Sequence, residues 1–315
     1  MHELYNAAQW ATASKARQDE IVNTLVSQLN GFEVADATYY ASEQPIRIFS
    51  LRERATGIVF LLIPGGTFMM GLDESQKQTL RTLRRLLMED DEQDWEVDIF
   101  LDDGFINMDI WHPVHPVHLA PFLLARFPLS WSQASEFISL DESNFLYRDY
   151  LDGLRMPNAE VAYLSVEEVE TLLQASGHVL PSESQWEYAC RAGSTTLFFW
   201  GNDLSSLMCF VENFNDAAAN DAASNRFGLV NMGFHGDICA DTWHDNYEGA
   251  PSDGSPWLSG NIRNDERVVR GGAAALYPWQ GCGEWLSMLC AYRSSSDACE
   301  EVGVNVRLAH LLHML

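Results

Sequence analysis

Basic residues are scarce in this chain: 19 Lys and Arg stand against 45 Asp and Glu in 315 residues, a formal charge of −26. A field of that sign repels phosphate backbones and anionic headgroups, which argues against nucleic acid and membrane surfaces as direct partners. Long apolar runs are missing too; none reaches the roughly 18 to 20 residues that a membrane-crossing helix requires. The opening stretch MHELYNAAQWATASKARQDE lacks the apolar core of a secretory signal, so a cytoplasmic protein is expected. Six cysteines, at positions 190, 209, 239, 282, 290 and 299, form no CxxC pair and no closely spaced grid. They read as small buried hydrophobes in a reducing compartment. Several catalytic signatures are absent as well. The glycines of PGGTF and RGGAA lack the Lys and the spacing of a phosphate-binding loop. There is no G-x-S-x-G elbow, and no repeat of solenoid length.

What is present is enough to build a core, since 47% of residues are hydrophobic and 10 are Trp. Residues 18–29 place Ile21, Val22, Leu25, Val26 and Leu29 on one helical face. IRIFSLR and GIVFLLI read as strands joined near Gly57, and PGGTFMMG as a turn with a short strand. Reciprocal caps are predicted at Asp73 with Gln76, Ser130 with Gln133, Ser165 with Glu168, and Ser182 with Gln185. Gly177 and Gly193 are expected to close the last two helices. Beyond residue 194, Gly, Asn, Asp and aromatics dominate, which predicts long loops carrying short strands.

Residues 88–112 hold ten carboxylates and no Lys or Arg, interleaved with Trp95, Ile99, Phe100 and Phe105. A solvated insertion is the plain reading, and docking of a basic protein partner is the functional one. The stretch lacks the EF-hand spacing for calcium. His112, His115 and His118 form a superficial metal string, but Pro113 and Pro116 forbid a helix and a strand would send the run to both faces.

Six separated segments, in order, resemble the formylglycine-generating enzyme family, the sulfatase-modifying factor domain. They are IPGGTFMMG, HPVHPVHLAPFLLARFPLS, LPSESQWEYACRAG, NRFGLVNM, CADTWHDNYEGAPSDGSPWLSG and RVVRGG. The resemblance implies an α+β protein, a variant of the C-type lectin fold with little regular secondary structure and long ordered loops. It divides the chain into an N-terminal helical segment, 1–45, and a domain, 46–315, with an acidic insertion at about 73–112. Family members commonly hold structural calcium in those loops, and catalytic members use copper on two thiolates to oxidise a substrate cysteine.

Here the sequence departs from its relatives. The two thiol slots, counted from Gly272, fall on Leu276 and Gly281. Cys282 stands one place beyond the second slot, and Cys290 lies further on, so a displaced pair of Cys282 and Cys290 is the catalytic alternative. The calcium-loop motif is one residue short, which puts Phe234 at an Asn position and leaves Asp237 as the carboxylate for a possible calcium. Arg307 survives from the closing motif.

Two readings follow. In the first, a non-catalytic binding or regulatory module takes a protein or small ligand on an aromatic face near Trp243, Tyr277, Trp279, Trp285 and Arg293. In relatives of this fold the same region forms the variable contact surface of proteins diversified by retroelements, and Tyr and Trp bury much area at little entropic cost. Plugging the core is the bland alternative for these aromatics. In the second reading, the protein is a copper-dependent oxidase that converts a substrate cysteine to formylglycine with Cys282 and Cys290.

Overall fold

Strands β2 (Arg47–Glu53) and β3 (Val59–Ile63) arise where β-branched and aromatic residues crowd together, and both are buried over most of their length. The computed structural model describes residues 1–40, 42, 44–89, 106, 108–140, 161–203, 224–258, 266–272, 287–296 and 303–312. Ahead of β2 lie helices α1 (Ala7–Thr12) and α2 (Lys15–Gln28) and strand β1 (Phe32–Tyr39). β1 pairs antiparallel with β2 at the edge of a five-stranded sheet of order β1-β2-β3-β6-β10. The last two members are β6 (Phe122–Ala125) and β10 (Ala309–Leu311). β6 is buried at all of its positions, as expected of a strand flanked on both sides.

The N-terminal segment is stitched to the rest of the core. Leu4, Trp10, Ile21, Val22 and Leu25 are buried in the same cluster as the sheet. The Trp10 indole donates to the Arg47 carbonyl at 2.8 Å. Backbone bonds run both ways between this segment and Gly65: Ala7 donates to its carbonyl, and its own N–H reaches the Leu4 carbonyl, each at 2.8 Å. A side chain at Gly65 would sit 2.5 Å from the Leu119 carbonyl oxygen, so this close approach requires glycine.

Strand β4 (Gly66–Met70) pairs with β5 (His115–Leu119) in a two-stranded ribbon. Helix α3 (Glu74–Glu89) opens on the predicted cap, with Asp73 and Gln76 bonded reciprocally at 2.8 and 3.0 Å. The boxes at Ser130, Ser165 and Ser182 likewise open α4 (Trp131–Ser135), α5 (Val166–Ser176) and α6 (Glu183–Arg191). Gly177 closes α5 in the left-handed conformation. At α6 the cap falls one residue earlier than expected: Ala192 takes φ 47°, and Gly193 follows at φ 91°. The third sheet joins β7 (Asp237–Thr242), β8 (Arg267–Arg270) and β9 (Arg293–Ser295). α6 packs against β4, β7 and β8 and is buried at every position. Among the described residues, no helix is long and apolar enough to cross a membrane. Most of the acidic stretch, 90–105 and 107, lies outside the described residues.

Candidate functional site

Helix α6 carries two carboxylates four residues apart, Glu183 and Glu187, which share one face and are buried in the protein. Buried carboxylates need counter-ions and hydrogen bonds, and three arginines supply them. Arg270, from β8, reaches Glu183 at 2.9 Å and Glu187 at 2.7 Å, and also donates to the Cys290 carbonyl at 2.6 Å. Arg293, from β9, pairs with Glu183 at 2.8 Å and donates to the Ile110 and His244 carbonyls, both at 3.0 Å. Arg191 returns to Glu187 at 2.9 Å and to the Gly71 carbonyl at 2.9 Å. Burial opposes the charge on Arg270, but Glu187, Tyr247 and Glu183 together hold its pKa well above the ordinary arginine value.

The network extends through Asp241, whose two oxygens accept from the backbone N–H of Glu183 at 2.7 Å and of Trp257 at 2.9 Å. Burial and the neighbouring Glu183 charge push the Asp241 carboxyl up to about 7. The Tyr247 hydroxyl donates to Glu183 at 3.0 Å, and burial followed by the Glu183 charge raises its pKa. On the far side of α6, Asp237 accepts from Arg307 and from the Trp186 indole, both at 2.9 Å. Arg307 spends its other donors on the carbonyls of Ala125, Arg126 and Val230. His235 is buried nearby, and burial with the Arg307 charge lowers its pKa to about 3, which keeps the ring neutral.

The residues expected at the aromatic face are therefore divided. Arg293 is fully engaged beneath the surface, with its guanidinium 4.5 Å from the Trp243 ring and 4.6 Å from the Tyr247 ring. Trp243 is half-buried, and its indole N–H donates to Asp245 at 3.2 Å. Next to it, the rings of His244 and Trp257 stack at 3.6 Å. Tyr277, Trp279 and Trp285 lie outside the described residues, as do Leu276, Gly281 and Cys282.

Cys290 is completely buried, and its sulfur lies 3.6 Å from that of Cys190 on α6. Burial pushes the Cys190 thiol up; at Cys290 burial acts the same way, but the hydrogen bond from Cys190 and the Arg191 charge outweigh it and lower the pKa. Cys190 was read in the sequence only as a small hydrophobe; its link to Cys290 spans 100 residues and leaves no local signal. The histidine run also separates: His118 bonds Thr67 at 3.0 Å, whereas His115 turns to the Pro113 carbonyl at 2.9 Å.

Residues 47–306 match the family described as the Sulfatase-modifying factor enzyme 1-like domain. Among solved structures, the chain is similar to "Structure of PvdO from Pseudomonas aeruginosa", with 17% identity over 88% of this chain and 98% of that one, at a TM-score of 0.44. It is also similar to "Treponema denticola variable protein 1", with 14% identity over 80% of this chain and 95% of that one, at a TM-score of 0.40. No curated protein matches the chain.

Proposed function

Because the chain belongs to the sulfatase-modifying factor family, we propose that it is a binding or regulatory module built on that scaffold, without the copper oxidase chemistry of its catalytic relatives. The observation that carries this reading is the fate of the thiols. Leu276 and Gly281 occupy the positions where the resemblance calls for cysteines, and neither side chain can ligate a soft metal. Cys290 is buried against Cys190 on α6. The two slots named by the resemblance therefore do not fit the two-thiolate copper group, and no oxidation step is assigned to this chain. Calcium at Asp237 is not part of the reading either, since that carboxylate already neutralises the Arg307 guanidinium.

The ligand, a protein or a small molecule, docks on the face formed by Trp243 with Tyr277, Trp279 and Trp285. Arg293 supports Trp243 from below, its guanidinium 4.5 Å from that ring, and does not contact the ligand. The acidic stretch at 88–112 offers a second surface to a basic protein. The free thiols of Cys190, Cys239 and Cys290 suit a reducing compartment, in accord with a cytoplasmic location.

Quenching of tryptophan fluorescence by acrylamide tests the face. In the wild type, a readily quenched component is expected, and Trp279→Phe with Trp285→Phe should remove most of it. If the double variant leaves the quenchable fraction unchanged, those indoles are buried and the face lies elsewhere.

A further inference from the structure

At the C-terminal end of α6, away from Glu183, the structure forms a half-open cavity of about 780 Å³. Small-molecule sites fall in the range of roughly 300–1,000 Å³. Its walls come from Ala7 and Ala11 on α1, Phe68 and Met69 on β4, and Phe227, so the N-terminal segment completes it.

Most polar groups that line the cavity are already committed. Arg191 is bonded to Glu187 and to the Gly71 and Thr196 carbonyls. The Gln76 amide spans Asp73 and the Thr195 carbonyl. The Tyr188 hydroxyl donates to the Pro64 carbonyl at 2.9 Å. Arg226 is different. Its Nε is buried, and the guanidinium makes no hydrogen bond or ion pair among the described residues.

The backbone that carries Arg226 is nevertheless held in place. The Asn225 amide donates to the Ala189 and Cys190 carbonyls at 2.6 and 3.0 Å, and its oxygen accepts from Phe227 and Leu229. Gly193 lies beneath the guanidinium, where a Cβ would come within 2.9 Å of Nη1. Partial dehydration of a cation without a counter-ion is costly, and burial accordingly lowers its pKa. A bound anion would offset that cost. Asp73 also lines the cavity, and the chain carries a charge of −26, so a ligand with two or more negative charges is disfavoured.

We propose that this cavity binds a small organic monocarboxylate, with its carboxylate held by the Arg226 guanidinium and its apolar body lying along Phe68, Met69 and Phe227. The site is separate from the aromatic face, so each reading stands or falls alone. Charge-assisted hydrogen bonds to one arginine predict about a ten- to hundredfold loss of affinity when that charge is removed.

The test is calorimetric titration of the full chain with phenylacetate, indole-3-acetate and hexanoate, each paired with its neutral primary amide. At least one acid should bind at least tenfold more tightly than its amide. Arg226→Gln should remove that preference, Arg226→Lys should restore part of it, and Met69→Trp should block acid and amide alike by filling the space. The proposal is overturned if none of the acids binds, if acids and amides bind equally, or if Arg226→Gln leaves the acid affinity unchanged while the variant melts as the wild type does.

Discussion

The two ends of helix α6 treat charge in opposite ways. Around Glu183 and Glu187, arginines 191, 270 and 293 meet carboxylates at 2.7 to 2.9 Å, and Arg307 closes on Asp237 in the same manner. At the other end, Arg226 faces a cavity, and among the described residues no carboxylate is bonded to it. Paired charge in the interior fixes which strand lies against which helix, and it has nothing left to offer a ligand. An unpaired, positioned charge contributes little to folding and is available for binding. The family motifs WEYACR and RVVRGG, which carry the resemblance in the sequence, are in the structure mainly the interlocking frame.

The comparison breaks most visibly at its paired end. Arg270→Met removes the arginine that Glu183 and Glu187 share, leaving them Arg293 and Arg191, and a loss of about 3 kcal/mol is expected in urea unfolding. An equally stable variant would remove the network from the frame. Asp241 gives the next effect, a slope with pH. Its folded pKa, about 7, lies above the ordinary 3.8, so the folded state retains a proton that the unfolded chain has released. That contribution is complete below the ordinary value and is lost as pH rises toward 7. Urea midpoints across this window should fall more steeply for the wild type than for Asp241→Asn. Gly193→Ala comes third: with φ at +91° and Arg226 Nη1 2.9 Å from the added carbon, a cost of about 1–2 kcal/mol is expected from thermal unfolding. It should also weaken any acid bound in the cavity. The smallest effect belongs to the unpaired end, where Arg226→Gln should change stability by no more than about 0.5 kcal/mol.

Local chemistry explains which parts could be read in advance. A capping box is written within four residues, so the helices at Asp73, Ser130, Ser165 and Ser182 were all legible. The two β-type runs were legible because alternation and branching act on neighbours. The α+β class and the family followed from motifs in order. Pairing across the chain was not legible: Glu183 meets Arg293 over 110 residues and Glu187 meets Arg270 over 83. Arg293 was grouped with the aromatic face from the family scaffold; packing draws its guanidinium beneath Trp243. Glu183 and Glu187 beside Trp186 and Tyr188 were the signal that could have shown the frame, since carboxylates on an apolar helix require buried cations. Nothing near Arg226 announced the cavity, because α1 and β4 supply walls from far away in the sequence.

The claim that this scaffold has parted from copper chemistry is tested most directly by titrating the reduced protein with copper(I) against a competing chelator, alongside Cys282→Ser and Cys290→Ser. The thiol arrangement predicts no binding to the wild type above the level of the variants. Tight, stoichiometric binding that Cys282→Ser and Cys290→Ser each abolish would contradict it and restore the displaced thiol pair of an oxidase.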